Sequence, residues 1–289
     1  MNSKKLDRRR KYYLVLDCET ATLPYAIKYD GNARKNIAIA KPLIYDLAWQ
    51  LVDRKGNVYR RKSYIITEIF SVPSIFNTAY YASKRPQYIE KLNSGQAVLT
   101  DWNTAVQDLL QDMRNAVAVG AYNSMFDFKK AIPFTEKYIS MLYSPDFYKW
   151  EQMQNRIADE IAIGKRRDSD RRFNPDVFNF RGEQFALFDV WGLSCRYLLN
   201  NDEYRQQCID NGWTTASGKY FSTSAETAFR YLSQNAEFIE SHTALEDVEI
   251  ESEILAKIIG KKLSQFEIGI IYFPFREIGT VEWYEMTRG

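Results

Sequence analysis

The sequence predicts an α/β domain with a mixed central sheet flanked by helices on both faces. Three observations carry that expectation. Three extended apolar segments follow one another near the N-terminus, as in a meander. Downstream, the pattern changes to helix, strand, helix, an order that adds strands to a sheet and covers its faces. The chain has 289 residues, 45% hydrophobic and 15% aromatic, ample for a substantial buried core.

Tyr12 to Leu16 is a short aromatic and aliphatic run that suits a strand buried on both faces, and it ends in Asp17-Cys18-Glu19. Leu43 to Val52 reads as a second strand, and Lys55-Gly56-Asn57 turns the chain into a third, Val58 to Thr67. Asp101 to Arg114 places Trp102, Ala105, Val106, Leu109, Leu110 and Met113 at helical spacing, with Thr100 as the expected N-cap. Ala116 to Ala121 is a short buried strand, after which Asn123 should cap a helix from about Ser124 towards Ser140. The polar region 144–184 is expected to be an insertion or a mobile loop. Phe185 to Leu199 is expected to be helical, as is Ser224 to Ser233, with Thr223 as N-cap and Glu226 completing a capping box. A long helix follows over Ala244 to Lys261, then extended segments at Ile268 to Phe275 and Val281 to Tyr284. With no internal repeat and no linker, the expectation is one domain over 1–289, with the insertion at about 144–184 and a C-terminal extension from about 262.

The 39 Lys plus Arg nearly balance the 37 Asp plus Glu, giving a net charge of +2, which excludes a polybasic tail or an acidic solvating segment. Cys18, Cys195 and Cys208 are scattered, which argues against a disulfide framework or a thiolate zinc site and implies a reducing compartment. No segment approaches the roughly 18 apolar residues of a membrane span, and Asp17 interrupts the run that could have been a signal-peptide core. A soluble, cytoplasmic protein is expected, with no membrane partner. His242 is the single histidine, so any bound metal must be held by carboxylates, which select hard ions such as Mg²⁺ or Mn²⁺.

Three segments supply candidate carboxylates. Asp17 and Glu19 lie two apart at a strand end, so both point to one side of the sheet, although a strand ending in two solvated acids would look the same. In Asn123-Ser124-Met125-Phe126-Asp127 an acid sits in the first turn of a helix, where the dipole favours its charge and where acids are common in any case. In His242-Thr243-Ala244-Leu245-Glu246-Asp247, Thr243 and Glu246 match a capping box. That makes Thr243 the N-cap and puts His242 and Asp247 at the two positions that meet in a staple, although a surface histidine at a helix entry fits the same pattern.

Taken together, Leu16-Asp17-Cys18-Glu19-Thr20, Asn123-Ser124-Met125-Phe126-Asp127 and His242-Thr243-Ala244-Leu245-Glu246-Asp247 resemble the DEDD exonuclease superfamily in its histidine-type branch, which includes polymerase proofreading subunits and RNase T-like enzymes. The tyrosine-type branch has Tyr four residues before the last Asp, where this chain has Thr243. The resemblance runs from about Tyr12 to Leu255 and implies an RNase H-like fold. It also implies a 3′→5′ exonuclease that uses two divalent cations to release nucleoside 5′-monophosphates from a nucleic acid, most naturally at a single-stranded 3′ end.

By that resemblance Asp17, Glu19 and Asp247 hold one cation, Asp17 bridges to a second that Asp127 reaches, and His242 is the general base. Thr20, Ala21, Thr22 and Leu23, with Asn123 and Phe126, would line the pocket for the terminal nucleotide. Many members of the family have Gly where this chain has Thr22. An RNase H-like endonuclease and a non-catalytic nucleic-acid-binding or polymerase-docking protein are the competing readings. The basic run Lys165 to Arg172, with aromatic neighbours Tyr148, Trp150, Phe173, Phe178 and Phe180, is suited to tracking a phosphate backbone, and equally to being a solvated loop. Substrate sugar, strandedness and oligomeric state are not legible in the sequence.

Overall fold

The first apolar run opens a strand, β1 (Tyr12–Ala21), in a computed structural model that describes residues 6, 7, 9–166, 174–260 and 267–288. β1 continues beyond the expected end at Leu16 because β2 (Leu43–Asp53) pairs with its whole length, antiparallel, through an irregularity between Glu19 and Thr20. β3 (Val58–Ile66) completes the meander, and β4 (Val98–Thr100) adds a short parallel edge to it. On the other side of β1, β5 (Ala118–Ala121) pairs parallel with it. β6 (Val177–Phe180) and β7 (Glu183–Asp189) form a hairpin, with β7 parallel to β5. Arg181 and Gly182 in its turn both have positive φ, 46° and 83°, as a tight two-residue hairpin requires.

The sheet order is β4-β3-β2-β1-β5-β7-β6. The antiparallel β3-β2-β1 unit followed by parallel β5 and β7 is the RNase H-like arrangement that the sequence leads one to expect. Gly120 is fixed by this packing, since a Cβ there would lie 2.5 Å from the Phe188 ring and 2.6 Å from its carbonyl oxygen.

Alternation along β1 splits the core. Tyr12, Leu14, Leu16 and Cys18 face one side, with Leu47, Trp49, Trp102, Leu109 and Ile132. The helices Trp102–Met113 and Ile132–Leu142 cover that side. Tyr13 and Val15 face the other, with Val190, Ala228, Ile250, Ile254 and Ile258, under the helices Val190–Ser194, Ala225–Ser233 and Ala244–Gly260. The last of these packs across β1 and β2. Ala48 lets its first turns approach closely, clustering with Ala244, Leu245 and Val248.

Several sequence expectations are corrected. The region 144–184 contains a sixteen-residue helix, Phe147–Ala162, and the strand β6. Trp150, Gln154, Ala158 and Ile161 are buried along one stripe of that helix, and its last turns pack against the helix Gly31–Ala40. Phe185 to Asp189 belongs to β7, so the expected helix begins only at Val190. The tail carries a short helix, Val281–Arg288, where an extended segment was expected. Two N-caps shift by one residue, to Asp101, whose carboxylate accepts from the Thr104 N–H at 2.9 Å, and to Ser224, whose hydroxyl accepts from the Thr227 N–H at 3.2 Å. Asn123 makes no side-chain cap. Among the described residues no helix is long and apolar enough to cross a membrane.

Candidate metal centre

The two-residue alternation that buries Tyr13 and Val15 carries on to Asp17 and Glu19, so the apolar face of β1 turns acidic at its C-terminal end. Glu19 lies opposite Asp46 of β2, and Asp17 opposite Ala48. The first turns of the Ala244–Gly260 helix arrive over this corner and bring Asp247. One carboxylate oxygen from each of Asp17, Glu19 and Asp247 lies within 4.8 Å of the others. Asp247 is 5% exposed and its Oδ1 is buried without a hydrogen-bond partner among the described residues. An orphaned buried carboxylate oxygen aimed among other carboxylates is costly, and a cation is what such a donor set fits.

Asp127 comes from the other side of β1. Beyond β5, the turn Ser124–Phe126 runs into a π turn, Asp127–Ala131, and on into the Ile132–Leu142 helix. The π turn lies just before Pro133, which has no N–H to donate back to the carbonyl four residues earlier. Ser124 anchors this start by donating to the Phe188 carbonyl at 2.6 Å, and its own N–H donates to Asp189 at 3.3 Å. Asp127 is buried and accepts a hydrogen bond from the Cys18 thiol, Sγ to Oδ1 3.1 Å. Burial holds that thiol well above its ordinary pKa, helped by the charge of Asp127, so Cys18 is a neutral donor here and not a soft thiolate ligand.

The electrostatics of the corner are those of like charges in a dry place. Burial holds Asp17 well above the ordinary carboxylate range, with Glu251 the strongest of the like charges around it. Burial does the same to Glu19, with Asp247 and Asp46 adding to it and Lys84 opposing. Asp247 is pushed up to about 8 by burial, then by Glu240 and Asp46. Asp127 is pushed up to about 7 by burial, against the hydrogen bond from Cys18. An all-oxygen, carboxylate-only set suits Mg²⁺ or Mn²⁺.

Folding in the absence of metal should therefore depend on pH in a definite direction. Unfolded carboxylates titrate near pH 4. Above that, the folded chain keeps protons on these groups that the unfolded chain has lost, so stability falls as pH rises. The expected result is a melting temperature in chelator that drops between about pH 5 and about pH 8, the window set by the raised pKa values of Asp127 and Asp247. Added Mn²⁺ should remove most of that drop, because a bound cation favours the ionised acids. Thermal unfolding with and without Mn²⁺ checks it, and a flat metal-free profile counts against a crowded acid site.

His242 sits at the rim, not beside Asp247 as the staple reading expected. Its backbone is left-handed, φ 50°, and its ring stacks on Tyr81 at 4.6 Å and 12°. The carboxylate nearest in ion-pair terms is Glu240, Nδ1 to Oε2 3.7 Å. Burial, then Lys84, pulls the imidazole below 6.5, with Glu226 opposing. Lys84 itself donates to the Ser241 carbonyl and lies over the Tyr81 ring at 4.7 Å. The Thr243 hydroxyl donates to the Glu246 carboxylate, side chain to side chain, which is not the reciprocal pair of bonds to backbone N–H groups that a capping box makes, and the Lys91 ammonium lies 2.6 Å from each. The first N–H of the helix, on Ala244, instead donates to Asp46 Oδ2 at 3.0 Å.

Of the expected pocket residues, Asn123 is exposed, and Thr20 and Phe126 are half-buried. Ala21, Thr22 and Leu23 lie deeper. Their side chains are buried, Ala21 and Leu23 in the core, and the Thr22 hydroxyl donates to the Lys41 carbonyl at 2.8 Å. In the basic run, Arg166 lies 3.6 Å from Glu160, and residues 167–173 lie outside the described residues.

Three further buried acids at this corner escape a reading of the sequence. Asp46 faces Glu19 across the β1–β2 pair, and Asp189 holds the turn that carries Asp127. Glu251 is 3% exposed, one helical turn beyond Asp247. Only Glu251 has a signal in the sequence, its spacing of four from Asp247. The chain matches no protein-family model and no curated protein.

Proposed function

We propose that this chain is a metal-dependent 3′→5′ exonuclease of the DEDD superfamily, histidine-type branch, that acts on DNA or RNA in the cytoplasm. The observation that carries the reading is the convergence of Asp17, Glu19 and Asp247 within 4.8 Å, with Asp127 close enough to Asp17 to repel its charge. The sheet corner, the turn after β5 and the start of a late helix each supply part of it.

In this reading Asp17, Glu19 and Asp247 would hold one divalent cation, and Asp17 and Asp127 would serve a second. Two such cations, when bound, neutralise the attacked phosphate, activate the water and stabilise the leaving 3′ oxygen. The four acids fix where the phosphate can sit. His242 takes the proton from the attacking water as general base, and its lowered pKa keeps the ring neutral and able to accept at neutral pH. Thr20, Asn123 and Phe126 remain open to the terminal nucleotide.

The test is a product ladder from 5′-labelled single-stranded DNA and RNA with Mg²⁺ or Mn²⁺. Stepwise shortening from the 3′ end with release of nucleoside 5′-monophosphates is expected, and none in chelator. Cutting of a circular strand would move the assignment to an endonuclease. Binding without cleavage under every metal condition would leave a nucleic-acid-binding or docking protein.

A further inference from the structure

A histidine that acts as general base needs a third group to set which way its ring points, and that group is ordinarily hydrogen-bonded to the nitrogen that does not meet the water. His242 has no such partner in Glu240, since 3.7 Å from Nδ1 to Oε2 is too long for a hydrogen bond. Nor does a regular element fix its side chain, because it lies in the loop ahead of the Ala244–Gly260 helix with φ 50°. What the imidazole has instead is an aromatic face. Tyr81, in the segment between the short helix Pro73–Phe76 and the helix Arg85–Asn93, stacks on it with centroids 4.6 Å apart and planes 12° from parallel.

The Tyr81 ring is itself held. Tyr80 meets it at 4.8 Å and 88°, and the Lys84 ammonium lies 4.7 Å from its centroid. Lys84 also donates to the carbonyl of Ser241, the residue before His242. The segment 80–84 therefore holds both the backbone and the ring of the histidine loop. The stack adjoins the cation site: burial, then the charge of Glu19 and more weakly that of Asp247, keeps the Tyr81 hydroxyl protonated.

We propose that Tyr81 is a positioning residue for His242, its ring face doing what a hydrogen-bonded carboxylate does for other histidine bases. The proposal rests on the exonuclease reading above, with His242 as its base.

Tyr81→Leu and Tyr81→Phe, made in the full chain, test this. Because His242 is the single histidine, its ring protons are the only imidazole signals in a proton NMR spectrum, which reads the stack without any substrate. Recorded with Mg²⁺, those signals should lie upfield in the parent and in Tyr81→Phe, and move downfield in Tyr81→Leu. Their titration midpoint should also rise in Tyr81→Leu as the ring gains solvent. Lys84, Glu226 and Glu240, the charged groups that act on the imidazole, are the same in all three proteins. In single turnovers with Mn²⁺ on single-stranded DNA or RNA, Tyr81→Leu should lose roughly 10–100-fold at saturating substrate, with KM little changed. Tyr81→Phe should recover most of that loss. In a His242→Asn background, Tyr81→Leu should cost no more than about twofold, since residues that act through one another are not additive.

A Tyr81→Leu variant that loses the upfield shift yet keeps the parent's rate would overturn the proposal. So would an undiminished loss in the His242→Asn background, which would make Tyr81 a substrate contact in its own right. A parent that cleaves no nucleic acid would sink the exonuclease reading and the proposal with it, and the NMR spectra would then report a packing contact.

Discussion

Asp17→Ala and Asp127→Ala are each expected to abolish turnover while leaving the chain folded. The cations these residues would hold supply several kcal/mol of transition-state stabilisation, so losing one ligand should cost about 10³-fold or more in rate. The fold should survive because neither side chain is packing the core in the usual sense. Asp17 is half-buried and surrounded by the charges of Glu251, Asp247, Asp127 and Glu19, so removing it relieves repulsion. The Asp17→Ala variant in chelator should therefore melt at or above the parent. Asp127 is different in one respect, since it accepts from the Cys18 thiol at 3.1 Å. A thiol is a weak donor, and its orphaning should cost little, so Asp127→Ala should melt close to the parent. Single-turnover rates with Mn²⁺, alongside thermal unfolding in chelator, separate the outcomes. Activity in either variant would remove that residue from the metal site. A metal-free variant that melts well below the parent would make the residue a structural one.

The parts of this molecule that are legible in the sequence share a physical property: their information is local. The meander follows from short apolar runs set around a glycine turn, and the helix from Ala244 follows from its long apolar stripe. Asp17 and Glu19 point the same way because a strand has a period of two. What is not legible depends on neighbours distant in the chain. β7 reads as helix because Phe185 to Asp189 is buried between β5 and β6, and a segment buried on both faces shows no alternation to distinguish it from a helix. The stripe of the Phe147–Ala162 helix includes Gln154, which hides an amphipathic pattern in a polar stretch. The caps move by one residue because Thr100 stands beside Asp101, and Thr223 beside Ser224, and each of the four can cap. Thr223 is used elsewhere, accepting from the Trp191 indole N–H at 2.9 Å. Asp17, Glu19 and Asp247 meet at one corner, and Asp46 faces Glu19 only through strand register. Ala21 to Leu23 follow the acidic motif closely in sequence and yet turn their side chains inward, since β1 is still paired at Ala21.

The histidine test follows from that geometry, and its substitution must respect the backbone. His242 occupies the left-handed region at φ 50°, where Asn is tolerated far better than Ala. His242→Asn therefore removes the base with less strain than His242→Ala. The Thr243–Glu246–Lys91 cluster and the Asp46 contact to Ala244 do not involve the imidazole, so the helix start and Mn²⁺ binding should be spared. The loss should fall on the chemical step, by roughly 10²–10⁴. Because the ring's pKa is lowered by burial and by Lys84, the histidine-linked rise in the parent's rate should have its midpoint below about 6.5 and be complete by neutral pH. His242→Asn should lose that limb. The stack on Tyr81 and the approach to Glu240 hold the ring in place, so the loss in His242→Asn tests whether the imidazole meets the attacking water. Single-turnover rates across pH for both proteins decide the matter. If His242→Asn keeps the parent's rate and pH profile, the imidazole is a packing partner of Tyr81, and the proton from the attacking water leaves by another route.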